Sequence, residues 1–159
     1  MKVRLKTLNI TTYDQDNKKK YRFVREMASD PLIFAFVSNK LEYELIKSQN
    51  DSEVLIGSSY IVCDDKKLVG YLKLAEFDMS GVLTIHYAVH PDYRHQGYGV
   101  KILNETIYYA KHNIDKANFI RLYINNKNNR SVSCAKKAGY IKQNNYTNDN
   151  PVVYVKKIK

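Results

Sequence analysis

The stretch Val89-His90-Pro91-Asp92-Tyr93-Arg94-His95-Gln96-Gly97-Tyr98-Gly99-Val100 decides how the rest of the chain is read. An alternating segment, Leu83 to Val89, leads into it, and a helix-period segment, Val100 to Ile114, leads out. A strand that stops at a proline, turns through glycines and opens a helix builds an anion site. The first amides of a helix have no intrahelical acceptor, and they sit at the positive end of its dipole. Gly97 and Gly99 withhold the side chains that would keep a diphosphate from the backbone, and Arg94 adds a cation. Glycines between a strand and a helix also suit a plain turn, so the neighbouring elements must decide.

Upstream of the loop the apolar period is two. Leu55 to Cys63, Leu68 to Phe77 and Val82 to Val89 form an antiparallel meander with polar turns at 64–67 and 78–81. In the third strand Leu83, Ile85, Tyr87 and Val89 face one way, and Thr84, His86 and Ala88 the other. Earlier, Val3 to Ile10 reads as an edge strand. Lys18 to Ser29 reads as a helix with Tyr21, Val24 and Ala28 on one face, ended by Asp30-Pro31. The run Leu32 to Val37 fits a helical turn or a buried link, and Asn39 with Glu42 forms a capping box for a second helix bearing Leu41, Leu45 and Ile46.

Downstream, Ile102, Leu103, Thr106, Ile107, Ala110 and Ile114 make one helical stripe suited to packing on a sheet. Phe119 to Ile124 is a strand that should pair in parallel after the crossover. Arg130 to Ala138 is a short helix stopped by Gly139, and strands near Tyr140 to Gln143 and Val152 to Ile158 close the order. The expectation is a single 159-residue α+β domain: a mixed, mostly antiparallel sheet of six to seven strands with four helices.

Composition excludes more than it selects. A hydrophobic fraction of 44% and a charged fraction of 26% suit a globular protein, and no apolar run reaches the roughly 20 residues of a membrane span. Residues Met1 to Lys6 lack the apolar core of a signal peptide, so a cytoplasmic protein without a membrane partner is expected. Cys63 and Cys134 lie far apart in segments that read as buried, and no histidine has metal-ligand spacing, so no metal site is expected. The net charge of +10 comes from scattered lysines without a basic run; a polyanionic cofactor explains it as well as nucleic acid does, and no nucleic-acid partner is expected.

With this element order, two motifs resemble the GNAT family of N-acetyltransferases. Arg94-His95-Gln96-Gly97-Tyr98-Gly99 is similar to the family's Arg/Gln-x-x-Gly-x-Gly/Ala loop, which binds the acetyl-CoA diphosphate. Asn128-Asn129-Arg130-Ser131 with Lys137-Ala138-Gly139-Tyr140 is similar to its second motif, in the form found in the branch acting on ribosomal-protein N-termini. The resemblance covers about Leu55 to Tyr140. It implies acetyl-CoA as co-substrate, contacted by Tyr87, Ala88 and Val89 along the pantetheine arm. Arg94, His95, Gln96, Gly97, Tyr98, Gly99 and Val100 would surround the diphosphate, with Asn128 and Ser131 beyond. It implies direct transfer to a primary amine, on a protein N-terminus or a small molecule, and allows a homodimer.

The catalytic residues depart from the family pattern. The usual tyrosine four residues before Gly139 is Ala135 here, and the usual glutamate before the asparagine loop is Tyr123. Ser131 takes the acid's place in the ribosomal-protein branch, though it also suits a helix N-terminus. His86, with an ordinary pKa of about 6.5, is a candidate base beside Glu76, Asp78 and Tyr146; a lone histidine on a strand also suits a structural role, and the sequence singles out no base. The two absences also leave a second reading, an acetyl-CoA-binding regulatory module without catalysis.

Overall fold

The computed structural model describes residues 1–36 and 40–159. Its centre is a single eight-stranded sheet in the order β1-β2-β3-β4-β5-β6-β8-β7. The strands are β1 (Lys2–Arg4), β2 (Asn9–Thr11), β3 (Ser59–Asp64), β4 (Lys67–Phe77), β5 (Val82–Val89), β6 (Phe119–Ile124), β7 (Ile141–Lys142) and β8 (Val152–Lys157). The helices are α1 (Lys18–Ala28), α2 (Pro31–Phe36), α3 (Leu41–Lys47), α4 (Tyr98–Asn113) and α5 (Asn129–Lys137). None is long and apolar enough to cross a membrane.

Alternation along the strands sends side chains into two cores. Tyr60, Val62, Leu72, Leu83 and Ile85 pack with Ile102, Leu103 and Ala110 of α4 and Ala135 of α5. Ile61, Cys63, Tyr71 and Ala88 point the other way, onto Phe23, Val24 and Met27 of α1 and Leu41 and Leu45 of α3. The face assignment of β5 therefore holds. On α1 the buried residues are Phe23, Val24 and Met27, while Tyr21 is half exposed, so the inward face lies about one residue away from the expected one.

One pairing shapes the site. β5 and β6 run parallel, but only Val82–Thr84 pairs with Phe119–Arg121. Beyond Thr84, β5 stays on β4, with His86 opposite Lys73 and Ala88 opposite Tyr71, while β6 stays on β8. The sheet splits there, and among the described residues the main chain of Ile85 to Val89 has no strand neighbour on its β6 side.

Three expectations change. The strand expected over Val3 to Ile10 is two strands, β1 and β2, paired antiparallel around a turn closed by Leu5 N–H donating to Leu8 O at 2.9 Å. The turn is held from outside: the Lys6, Thr7 and Leu8 amides donate to the Glu105 carboxylate of α4 at 3.2, 2.8 and 2.6 Å. Pro31 ends α1 and also starts α2, a fifth helix, because a proline at the first helical position has no amide to waste. Asp30 supports that start, its carboxylate accepting the Ile33 amide at 3.2 Å. Finally, β3 begins at Ser59 rather than Leu55, since Leu55 to Ser58 forms a turn that leaves Leu55 and Ile56 exposed. Asn39 of the expected capping box lies outside the described residues, and Lys40 precedes α3.

Candidate active site

Two cavities meet where the sheet splits. The larger, about 810 Å³, runs between the end of β5, the N-termini of α4 and α5, and Leu32, Ile33 and Phe36 of α2. The smaller, about 80 Å³, lies between β5 and β6 and is lined by His86 and Tyr123 among others. Phe36, Tyr87, Asn128 and Ser131 line both, so these four mark the junction.

The loop between β5 and α4 is shaped by its own residues. Gly97 caps α4 at φ 82°, a left-handed conformation that costs any other residue steric strain, and a Cβ there would meet nothing within 4 Å. Its position therefore stays open to a ligand approaching the first amides of α4. Gly99 has a different reason. A Cβ at Gly99 would lie 2.8 Å from Cys134 Sγ, so this glycine lets α4 close against α5. The space expected for a diphosphate is open at Gly97, whereas helix packing explains Gly99.

Arg94 lines the large cavity, but its guanidinium turns to Asp30, with Nη1 donating to Oδ1 at 3.2 Å and Nη2 bonded to Oδ2. Both side chains are largely shielded, at 17% and 11% exposed. The Arg94 bond holds the Asp30 carboxyl below its ordinary pKa, against the opposing effect of burial. One carboxylate thus caps α2 and fastens the glycine loop. Tyr98 is also tied, donating to Asp64 Oδ2 at 2.7 Å, and that bond pushes its phenol up to about 12. His95 and Val100 line the cavity, whereas Gln96 turns back to Asp92 O at 3.1 Å and does not. Lys127, Arg130 and Lys137 add charge to the lining, and no carboxylate lines either cavity among the described residues. Helix amides, lysine and arginine at one end, and at the other the β6-side edge of Tyr87, Ala88 and Val89, which β4 pairs on its other side, fit a diphosphate carrying an amide-bearing arm.

At the junction, Asn128 caps α5, its Oδ1 accepting the Ser131 amide at 3.3 Å. Ser131 Oγ lies 3.0 Å from the Tyr87 hydroxyl. Ala135, on the same helix, is fully buried in the core and brings no hydroxyl. Across the split, His86 is half-buried beside Lys73. Desolvation first, and the Lys73 charge second, lower its imidazole pKa from 6.5, so it is neutral at pH 7. Tyr123, in the usual glutamate's place, is exposed with the Arg121 guanidinium 5.1 Å over its ring. That ring carries no base.

Other candidates separate. His90 is buried: it stacks on Phe23 at 5.0 Å, its Nε2 lies 2.8 Å from Glu26, and its Nδ1 accepts the Asp92 amide at 3.1 Å. Glu26, His90 and Asp92 are close enough to hold an ion, but the Nδ1 lone pair is taken and Nε2 donates to Glu26. Cys63 is buried, its thiol pKa raised by desolvation, whereas Cys134 is half-buried on the wall of the large cavity, contrary to expectation. Alternation alone missed the Tyr87 side chain and the Asp30–Arg94 pair, although the inward face of β5 did point Tyr87 towards α4 and α5.

Comparison with known proteins bears on the family and the fold. A family model described as the acetyltransferase (GNAT) family matches residues 15–140. No curated protein sequence matches significantly. Among solved structures, a GNAT-family acetyltransferase from Bacillus anthracis superimposes with a TM-score of 0.74 at 17% identity, covering 99% of each chain. An acetyltransferase from Salmonella typhimurium, described as modifying the N-terminal serine of ribosomal protein L7/L12, gives 0.74 at 13% identity and 100% of each chain. The RimL ribosomal L7/L12 α-N-protein acetyltransferase in complex with coenzyme A gives 0.70 at 11%, covering 99% of this chain and 98% of that one. These likenesses establish the fold, and the family match extends over most of the chain: it belongs to the acetyltransferase (GNAT) family, whose co-substrate is acetyl-CoA.

Proposed function

We propose that the protein transfers the acetyl group of acetyl-CoA directly to a primary amine, with the N-terminus of a protein as the acceptor class best supported. The observation that carries this reading is the junction of the two cavities. A hydroxyl, Ser131, stands where they meet, and a neutral imidazole, His86, lines the smaller one.

In this reading the α4 amides from Tyr98 to Val100, with Lys127, Arg130 and Lys137, hold the diphosphate, and the open main chain of Tyr87 to Val89 orients the arm. Asn128 holds the α5 N-terminus in place. His86 takes a proton from the amine, so that the free base attacks the thioester carbonyl. The new C–N bond forms as the C–S bond breaks, Ser131 delivers a proton to the departing sulfur, and the nitrogen sheds its second proton to water. Among the described residues the hydrogen-bonding neighbour of Cys134 is the Tyr87 hydroxyl and not a base, which favours direct transfer over an acyl-enzyme.

The acceptor class rests on charge. Polyamines and aminoglycosides are polycations, and among the described residues neither cavity presents a carboxylate to them. Two solved structures of the same fold are described as acting on the N-terminus of a ribosomal protein, which supports the peptide reading. The test is thiol release from acetyl-CoA with a peptide starting in serine, spermidine and kanamycin as acceptors. The peptide should be turned over, and Ser131→Ala should lower kcat roughly 100-fold. Turnover of the polycations alone would overturn the acceptor class, and no turnover of any amine would overturn the transfer reading.

A further inference from the structure

Ser131 Oγ has one proton and two directions for it: towards Tyr87, 3.0 Å away, or out into the junction. Which direction it takes decides whether it can serve a leaving group. The Tyr87 ring is fixed, since β5 places it opposite Leu72 of β4 and its edge lies beside Gly99. Its hydroxyl has two neighbours on α5, the Ser131 oxygen and the Cys134 sulfur. Either hydroxyl can donate across that contact; the phenol is the stronger acid and the serine oxygen a better acceptor than the thiol, which favours Tyr87 as the donor.

We infer that Tyr87 is a positioning residue for the transfer step: its hydroxyl donates to Ser131 Oγ and so turns the Ser131 proton out to the point where the two cavities meet. The inference rests on the acetyl-transfer reading of the site. Desolvation, with Cys134 adding to it and the Ser131 hydrogen bond opposing it, raises the Tyr87 phenol well above its ordinary range, so it keeps its proton at working pH. When the Ser131 O–H breaks and S–H forms on the departing thiolate, the charge left on Oγ is held by the Tyr87 hydrogen bond. Tyr87 gains and loses no proton in the cycle, and Ser131 recovers its own from water.

Tyr87→Phe removes the hydroxyl and keeps the ring. Its melting temperature and its affinity for CoA by isothermal titration should match those of the wild type. With acetyl-CoA and the serine-initiated peptide, kcat should fall roughly 10- to 100-fold while KM for acetyl-CoA stays within about two-fold. Because Tyr87 acts through Ser131, the double variant Tyr87→Phe/Ser131→Ala should be no slower than Ser131→Ala alone. A wild-type kcat for Tyr87→Phe, or losses that multiply in the double variant, would overturn the positioning role and leave the proton-donor reading of Ser131 standing. Wild-type turnover by Ser131→Ala would overturn both.

Discussion

At the scale of single residues, His86 owes its chemistry to its place in a split sheet. β4 supplies Lys73 directly opposite, whose ammonium is held 2.9 Å from Glu44 of α3, and the side towards β6 is open. Partial burial and the nearby cation both disfavour imidazolium, which keeps the free base available at neutral pH. If His86 takes the amine proton, kcat/KM must fall as His86 becomes protonated, on an acid limb with a midpoint below 6.5. The acceptor's own α-amino group titrates separately, near about 7.7–8.0. His86→Gln should lower kcat roughly 100-fold and remove the lower limb while leaving the upper one. A pH–rate profile retaining both limbs in His86→Gln would assign the base elsewhere. Gly97 and Gly99 look alike in sequence, yet one needs a left-handed backbone and the other needs room for Cys134.

At the scale of elements, α4 carries the site at one end and an anchor in its middle. Glu105 is only 5% exposed, and the Lys6, Thr7 and Leu8 amides converge on its carboxylate together with the Thr7 hydroxyl. Burial alone raises a carboxyl pKa; here the hydrogen bonds from Thr7, Leu8 and Lys6 outweigh it, and the net pKa lies below 4.5. Glu105→Gln replaces an acceptor with a donor facing those amides, and should cost about 2–4 kcal/mol in urea unfolding. The folded pKa is depressed, so the carboxylate's contribution is fully present above about pH 4.5 and is lost as pH falls through the lower folded value. The stability gap between wild type and Glu105→Gln should therefore be constant at neutral pH and narrow in acid. A gap independent of pH would mean that the anchor acts without its charge. This anchor also explains why Val3 to Ile10 did not read as a hairpin. The turn is held by a residue almost a hundred positions later, and backbone amides leave no side-chain pattern to read. The loop from Arg94 to Gly99 was legible because its causes are local: glycines, a proline and a helix start within a few residues.

At the scale of the whole molecule, the large cavity joins both layers of helices, with α2 on one side of the sheet and α4 and α5 on the other. The element order and the two motifs were legible in the sequence, whereas the couplings between layers were not. Arg94 meets Asp30 across 64 positions and Tyr87 meets Ser131 across 44, and neither pair leaves a periodicity. A ligand in that cavity should stabilise the whole fold by linkage. At a CoA concentration of 100 Kd the gain is about 2.7 kcal/mol, which for a chain of this size is roughly 5–10 °C in Tm. Lys127 and Arg130 are exposed on the cavity wall, so the shift at fixed CoA should shrink between low and high salt. Gly97→Glu would put a carboxylate beside the first α4 amides and should abolish the shift. The net charge of +10 makes nucleic acid the natural control, because binding through scattered lysines would give an oligonucleotide a Tm shift with a steep salt dependence. The cavity predicts the reverse order, with a large shift for CoA and little for a single-stranded oligonucleotide of equal charge. Equal shifts from both ligands, each surviving Gly97→Glu, would mean that surface charge rather than this cavity does the binding.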